Sequence, residues 1–252
     1  MSQHDMNLAN ADGATFRADA NSALQAIAEC NSGGTAPSTT FAYQWWADTG
    51  NNLLKQRNAA NSGWITILTL STGAVSNTVI GKHTLWIPAV AMRPTDSNGC
   101  DSITDVETTS GRPDLQVLDF DTSADEHAQF GVCFPKSWNI STITFQVWWT
   151  STATDTDGVA WFLQGVGVAD NQTADIAYGT AVVVTDDAQS AAEEVYVTAE
   201  SSAVTIAQTP ADDDMTFFRV GRDVSDANDD MAEDARLLGI KLFYTIDAGE
   251  DT

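Results

Sequence analysis

The side chains best suited to bind a cation lie in one acidic loop near the end of the chain. Residues 223–234 read DVSDANDDMAED and include Asp223, Asp226, Asp229 and Asp230. Calcium takes about six to eight oxygen ligands, a number that this loop can supply. It lacks the glycine and the DxDxDG core of an EF-hand. A calcium site and a solvated turn therefore remain as alternatives for the loop.

Residue patterns typical of catalysis are missing from the sequence. The histidines His4, His83 and His127 are far apart, and no GxSxG motif is present. Paired carboxylates are uninformative here, since an acid-rich surface satisfies any distance rule by chance. We therefore predict no catalytic residues, no enzyme activity, and no cofactor other than the calcium ion considered above.

The three cysteines also favour a structural interpretation. Cys30, Cys100 and Cys133 are widely spaced, are odd in number and form no CxxC motif. This spacing predicts free thiols rather than a zinc site or paired disulfides. Cys133, within the run FGVCF, is interpreted as a small buried apolar residue.

Two tryptophan pairs, Trp45-Trp46 and Trp148-Trp149, each fall within a predicted strand. Neighbouring residues of a strand point to opposite faces, so each pair should place one ring inward and one outward. The outward ring has three possible roles: contact with another subunit, cover within the chain, or stacking on a sugar.

A helix and a small sheet are predicted at the start of the chain, after an irregular arm. Phe16, Leu24 and Ile27 lie near helical spacing within residues 14–29, and Asp12 or Thr15 could cap the start. Three strands, at 41–46, 53–57 and 64–70, form a predicted β-meander. These elements hold too few large apolar side chains for an independent core. Six of their residues are therefore predicted to lie at an interface: Phe16, Leu24, Ile27, Trp45, Trp46 and Trp64.

The remainder of the chain, residues 78–252, is predicted to be all-β. It contains ten strand candidates without a convincing helical repeat, which favours a jelly-roll-like β-sandwich. In one of them, Leu238, Ile240, Leu242, Tyr244 and Ile246 are expected to share a face. The candidates are residues 83–90, 115–120, 129–134, 142–150, 159–168, 177–185, 194–198, 203–207, 216–223 and 236–246. The predicted fold is mainly β: a short N-terminal helix and small meander in residues 1–72, then the sandwich in 78–252.

Charge excludes two classes of partner. The 252 residues include 11 Lys and Arg against 35 Asp and Glu, a net charge of −24. Residues 1–72 carry three basic and five acidic side chains, and residues 73–252 carry eight and thirty. Such an excess repels phosphate, so we expect no nucleic-acid partner. No apolar run reaches the roughly 18–20 residues of a membrane span, so we expect no membrane insertion.

Several short stretches of the first 70 residues carry a resemblance. They are SQHD (2–5), GATFRAD (13–19), NSALQAI (21–27), YQWWADT (43–49), LKxRNAAN (54–61) and Trp64. Together they look like the N-terminal segment of structural proteins of tailed bacteriophages, which also heads fibre-like proteins in phages of aquatic bacteria. Residues 78–252 are more loosely similar to a β-sandwich of marine phages.

The resemblance implies a protein of the virion surface, often a homotrimer, whose N-terminal module seats a variable C-terminal domain. Because no long repeat or shaft follows the module, a short spike or fibre fits better than a long fibre. The implied partners are sister copies, capsid or tail proteins, and a host cell-surface glycan or protein. Two alternatives stay open: a capsid decoration protein, and a carbohydrate-binding or glycan-cleaving domain.

Overall fold

The chain forms two compact units, Met1–Thr78 and Val79–Thr252. The structure is a computed structural model and describes residues 3–8, 10–75, 81–248 and 251. We refer to the units as unit 1 and unit 2 and describe each by itself.

Unit 1 begins with a capped helix. The helix α1 spans Gly13–Ala28, and Asp12 Oδ1 accepts hydrogen bonds from the backbone N–H groups of Ala14 (2.9 Å) and Thr15 (3.1 Å). The predicted cap at Asp12 is therefore present, and it satisfies N–H groups that have no partner within the helix. After the helix, Cys30 and Asn31 adopt positive φ angles that turn the chain away.

The predicted meander is also present in unit 1, but its first strand begins at Trp45 rather than at residue 41, since Tyr43 adopts a positive φ angle. The strands β1 (Trp45–Asp48), β2 (Leu53–Arg57) and β3 (Trp64–Thr69) pair in sequence, all antiparallel. Beneath them, the rings of Trp46 and Trp64 lie 5.2 Å apart. Lys55 donates to the buried Asp48 carboxylate at 2.8 Å, which neutralises that charge.

Unit 2 is a β-sandwich, as predicted from the sequence. One sheet has the strand order β11-β10-β13-β8-β5, and the other has the order β12-β9-β14-β7-β6, with β4 also paired to β14. All these pairings are antiparallel. The strands are β4 (Gly81–Pro88), β5 (Arg93–Pro94), β6 (Thr104–Glu107), β7 (Asp114–Phe120), β8 (Glu126–Val132), β9 (Thr144–Thr150), β10 (Gly158–Val168), β11 (Val182–Asp187), β12 (Tyr196–Val197), β13 (Met215–Arg222) and β14 (Ala235–Ile246).

The two sheets, called the five-stranded and the six-stranded sheet below, enclose one apolar core. Alternation along β9 buries Phe145, Val147 and Trp149 completely and turns Trp148 to the outer face. Across the core, the ring of Phe120 meets that of Trp161 edge-on at 5.1 Å. Burial of each large side chain contributes about 1.5–3 kcal/mol, so this layer holds the sandwich together.

A β-bulge corrects the predicted face of the last strand. Pairing with β9 shifts register between Leu237 and Gly239, which reverses the alternation at that point. Leu237 is therefore fully buried, whereas the expected Leu238 is only half-buried. The prediction that Leu238 shares a face with Ile240 was wrong, because the sequence near a bulge contains no strong pattern that marks the inserted residue.

Three further expectations are corrected. Cys133 is exposed. Phe130 and Val132 point into the core, so strand alternation turns the next residue, Cys133, outward. Residues 203–207 form only isolated bridges at Val204 and Ala207. The strand predicted at 177–185 begins only at Val182, and residues 177–181 belong to the irregular segment that precedes β11.

Candidate functional site

The outer face of the five-stranded sheet carries a row of planar polar side chains. Strand register places Gln164 of β10 beside Arg219 of β13, Arg219 beside Gln129 of β8, and Gln129 beside Arg93 of β5. The neighbours of these residues on β8 and β13, Phe130 and Phe218, point into the core, so the row itself faces outward. We call Gln164, Arg219, Gln129 and Arg93 the polar row.

Arg219 is held in place by a glutamine. Its Nε and Nη2 atoms donate to Gln164 Oε1 at 2.9 and 2.6 Å. Gln164 Nε2 in turn donates to the carbonyl of Gly179 at 3.0 Å. Both ends of the glutamine amide are therefore used, and the guanidinium plane has a defined orientation.

Arg93 has the same kind of partner. With the Gln129 amide turned so that its oxygen faces the guanidinium, Oε1 accepts from Arg93 Nε at 3.0 Å and also from Nη2. The row thus consists of two Arg–Gln pairs side by side. In each pair a neutral amide orients a positive charge without cancelling it.

Two grooves of about 330 and 340 Å³ lie next to the polar row. Both are lined by Arg93, Gln129 and Phe217, so they meet over these three residues. The first groove continues toward Met92 and Met215, and the second continues under the irregular segment. The resulting cleft is open, mostly apolar along its walls and polar at its centre, which is the usual composition of a small-ligand site.

The irregular segment at 174–179 forms one wall of the cleft. Ala174, Ile176 and Tyr178 line the second groove, and the Gly179 N–H donates to the Gly165 carbonyl at 3.1 Å. The Arg219 guanidinium lies 5.2 Å from the centre of the Tyr178 ring, within the range of a cation–π contact. Burial raises the pKa of the Tyr178 phenol, although the nearby Arg219 and Arg93 oppose that shift.

His127 lies on the same face, two residues along β8 from Gln129 at the centre of the cleft. Its ring meets Phe162 edge-on at 5.5 Å, and Nδ1 lies 3.0 Å from the Asn98 carbonyl oxygen. Burial lowers the pKa of His127 below its ordinary value, so the ring is neutral at pH 7. The positive charge of this face therefore comes from the two arginines.

The outer face of the six-stranded sheet carries the second predicted tryptophan pair. Trp149 is buried and Trp148 points outward, as strand alternation predicts. Trp148 packs edge-on against Trp86 at 5.4 Å, and Lys241 Nζ lies 4.4 Å above the Trp148 ring. The outward ring of Trp148 is thus largely covered within the chain, and Trp86 is left 46% exposed.

The four predicted calcium ligands are placed in one loop, but two of them have internal partners. Asp229 accepts from the buried Arg222, and Asp230 Oδ1 accepts from the Gly158 N–H at 2.7 Å. Asp223 and Asp226 accept from Ser225 and Asn228 within the loop. Across the described part of the chain, no group of three or more His, Cys, Asp or Glu side chains is arranged to hold a metal ion. The calcium site stays a prediction.

Arg222 is the internal cation of this region. It is completely buried and donates to Asp229 and to the backbone carbonyls of Phe120, Met231 and Glu233. Together these contacts use the full donor set of the guanidinium. The loop at 223–234 therefore folds around Arg222. Its acidic sequence alone does not predict that it would enclose a buried cation.

The six predicted interface residues of unit 1 fall into two groups. Phe16, Leu24 and Ile27 of the helix are 44, 64 and 62% exposed, and Trp45 is 40% exposed. Trp46 is buried and packs against the half-buried Trp64 inside the unit. The helix therefore presents an apolar stripe, while only one of the three tryptophans is largely accessible.

Sequence reasoning missed the cleft altogether. Two signals pointed to it: the scarcity of basic residues, and the position of Arg219, Gln129 and Gln164 at outward positions of otherwise apolar strands. The pairing of four distant strands was needed to see that these residues are neighbours. The contribution of Tyr178 has no sequence signal, since it lies in an irregular segment.

Comparisons with known proteins do not assign the chain to a family. No family model matches it, and neither does any curated protein. Among solved structures, the isomalto-dextranase of Arthrobacter globiformis T6, complexed with panose, is 20% identical with a TM-score of 0.39. The alignment covers 63% of this chain and 23% of that enzyme.

Two smaller solved structures are also similar. The CBM35 of Cellvibrio japonicus Abf62 is 7% identical (TM-score 0.35), covering 66% of this chain and 100% of that module. The family 11 carbohydrate-binding module of Clostridium thermocellum, in complex with a β-1,3-1,4-mixed-linked tetrasaccharide, is 9% identical (TM-score 0.31), covering 68% and 90%. All three scores are too low to establish a relationship.

Within the described ranges, no helix has the length and apolar character that crossing a membrane requires.

Proposed function

We propose that unit 2 is a glycan-binding module and that the cleft over the polar row is its binding site. The observation that carries the proposal is the pair of grooves that meet over Arg93, Gln129 and Phe217. The binding role involves no chemical step, and it follows the carbohydrate-binding alternative raised from the sequence.

The chemistry of the cleft suits a sugar chain. Vicinal hydroxyl groups can both donate and accept hydrogen bonds. The guanidiniums of the polar row and the amide NH₂ group of Gln129 offer planar, pre-oriented donors for them. Phe217 and Tyr178 provide aromatic surface for the apolar C–H face of a sugar ring. The two joined grooves make an elongated site, which fits several linked sugar units better than a compact molecule.

A glycan array with fluorescently labelled full-length protein tests the proposal. We expect binding to a restricted set of oligosaccharides, followed by measurable affinity in calorimetry. Phe217→Ala should weaken binding at least about tenfold, because it removes the aromatic surface shared by both grooves.

A matched aromatic variant on the opposite sheet serves as the control. Trp86→Ala removes a 46% exposed ring from the six-stranded sheet and should leave glycan affinity unchanged. Loss of binding with Trp86→Ala but not with Phe217→Ala would move the site to the other face. Absence of binding to every glycan on the array would contradict the proposal.

A second candidate function concerns unit 1. We propose that it is the attachment module of a virion surface protein, as a short trimeric fibre, a spike or a capsid decoration protein. The observation in its favour is the exposed apolar stripe of Phe16, Leu24 and Ile27 on a helix in which Ala26 alone is buried. Such a stripe is costly in water and is stabilised when sister copies or a larger particle cover it.

Light scattering on the full chain tests this second candidate. We expect a trimer that dissociates when Leu24 and Ile27 are replaced by Ser. Replacing two exposed polar residues of the same helix, Ser22→Ala and Gln25→Ala, provides the control and should leave the assembly intact. A wild-type monomer of 26.9 kDa at high concentration would contradict self-association through this stripe.

A further inference from the structure

The polar row contains two positive charges in a strongly acidic chain, and neither is paired with a carboxylate. Unit 2 has eight basic side chains, of which four form ion pairs: Lys82 with Glu200, Lys136 with Asp213, Arg222 with Asp229, and Arg236 with Asp119. Among the residues that the structure describes, no ion pair joins Arg93 or Arg219 to an acid.

The partners of these two arginines are glutamines, although acids outnumber bases about three to one in the chain. A carboxylate at position 164 or 129 would hold a guanidinium equally well and would also neutralise it. Glutamine provides the orientation alone. The charge therefore remains available to a ligand.

The geometry leaves donors free for such a ligand. The recorded hydrogen bonds of both guanidiniums use Nε and Nη2, and within the described residues none uses the Nη1 atom of Arg93 or Arg219. The two arginines are separated by one strand, so their Cα atoms are about 9–10 Å apart. Both guanidiniums lie near Tyr178, so a small group held beside that ring can contact both side chains.

We infer that the ligand of this cleft carries a carboxylate, and that Arg93 and Arg219 bind it together: the ligand class is an acidic glycan built with uronic or sialic acid units. The inference rests on the proposed glycan-binding function and specifies its ligand. A carboxylate is planar and takes paired N–H donors from a guanidinium, which suits the orientation of the polar row.

The overall negative charge of the chain does not prevent this recognition. At physiological ionic strength the Debye length is about 8 Å, so acids on distant surfaces are largely screened at the cleft. Tyr178 lies near both guanidiniums, and its phenol can donate a further hydrogen bond to the same group. Phe217 and Ile176 line the groove beside this group and add apolar surface next to the charged hydrogen bonds.

The experiment uses the full chain on an array that contains both neutral and carboxylated glycans, followed by calorimetry. For the best carboxylated glycan, the free acid is compared with its methyl ester, which removes the negative charge and adds one methyl group. We expect hits confined to carboxylated glycans and an affinity at least about tenfold lower for the ester.

Variants assign the effect to the two arginines. Arg219→Gln and Arg93→Gln should each weaken binding of the acid to near the level of the ester. Arg219→Lys should recover part of the loss, because it retains the charge without the paired donors. Arg112→Gln is the control: it removes the same positive charge from an exposed position outside the cleft and should leave the affinity for the glycan unchanged. Melting temperatures show whether each variant is folded.

The possible outcomes separate the two proposals. Equal affinity for the acid and its ester, or hits among neutral glycans alone, would overturn the acidic-ligand inference and leave the glycan-binding function supported. Equal losses with Arg112→Gln and Arg219→Gln would show that the effect is one of net charge and would also overturn it. Binding to no glycan at all would overturn both.

Discussion

At the scale of single residues, Arg222 and Asp229 form an ion pair that is buried in unit 2. Their side chains are 0 and 2% exposed and approach to 2.7 Å. Removing one partner from such a pair leaves a buried charge without compensation, which costs far more than the pair contributes. The pair therefore has a strong effect on stability that an exposed acid would not have.

We expect Asp229→Asn to lower the free energy of unfolding by about 3 kcal/mol or more, since Arg222 would keep only neutral acceptors. Urea denaturation of the full chain measures this change. Asp226→Asn, in the same loop, keeps its local contact to Asn228 and should change stability by less than about 0.5 kcal/mol. Equal effects of the two variants would contradict the special role of the buried pair. A wild-type melting temperature that rises more with CaCl₂ than with NaCl of equal ionic strength would indicate that the loop binds a cation.

A second residue-scale prediction concerns Asp186, which accepts a hydrogen bond from the indole N–H of Trp149 at 2.9 Å. Burial raises the pKa of Asp186 despite this hydrogen bond. The folded state then binds the proton more tightly than the unfolded chain does. Stability from this group is present at low pH and is lost as pH rises from about 4 through the raised pKa.

Asp186→Asn keeps the acceptor for Trp149 and removes the charge, so its melting temperature should fall less than that of the wild type between about pH 4 and 7. Calorimetric melting across this pH range measures the difference. Asp187→Asn, at the neighbouring exposed position, removes the same charge and should flatten the profile much less, because burial is the main cause of the raised pKa of Asp186. If both variants flatten the profile equally, net charge rather than burial is responsible.

At the scale of elements, the ladder between β4 and β14 depends on a close approach at the bulge. A Cβ atom at Gly239 would lie 2.6 Å from two carbons of the Trp86 ring and 2.7 Å from the Ile87 carbonyl oxygen. Trp86 thus covers the glycine of the adjacent strand, and the backbone of β4 leaves no space for a methyl group there. The bulge therefore requires a glycine at position 239, where the Trp86 ring packs directly on the backbone.

Gly239→Ala should therefore destabilise the protein by about 1–3 kcal/mol, as expected for overpacking against backbone. Gly81→Ala is the matched control at the other end of the same ladder, where an added Cβ meets no atom of the described residues within 4 Å. It should be neutral or slightly stabilising, because alanine restricts the unfolded chain. Equal stability of both variants in urea would show that β4 moves away from β14 without cost.

At the scale of the whole molecule, the uneven charge governs the response to salt. Residues 73–252 carry thirty acids and eight bases, and residues 1–72 carry five and three. Self-repulsion destabilises a compact state, and the Debye length shortens from about 30 Å at 0.01 M salt to about 3 Å at 1 M.

We expect the melting temperature of the sandwich to rise by several degrees between about 0.01 and 1 M NaCl at pH 7, measured by calorimetry on the full chain. Chloride is the suitable anion, because sulfate stabilises proteins by exclusion from their surface. A transition from unit 1, with nearly balanced charge, should shift less and acts as an internal reference. A melting temperature that decreases with salt would mean that attractive ion pairs outweigh repulsion.

What the sequence determined by itself was the class of each element and the parity of most strands. The cap at Asp12 and the alternation around Trp149 follow from contacts between near neighbours, so local pattern was sufficient to predict them. The helix and meander of unit 1 and the sandwich of unit 2 were predicted on the same grounds. The bulge at Leu237 was not, because the added residue is defined only by the partner strand.

Only the tertiary structure decided which polar residues act together. Arg93, Gln129, Gln164 and Arg219 span 127 positions of the chain, and four strands must pair in one register before they form a row. Likewise, Asp229 differs from the other acids of its loop because Arg222 is buried beneath it. Binding sites and buried charges depend on contacts between distant segments, and these contacts arise from packing, which local sequence patterns do not encode.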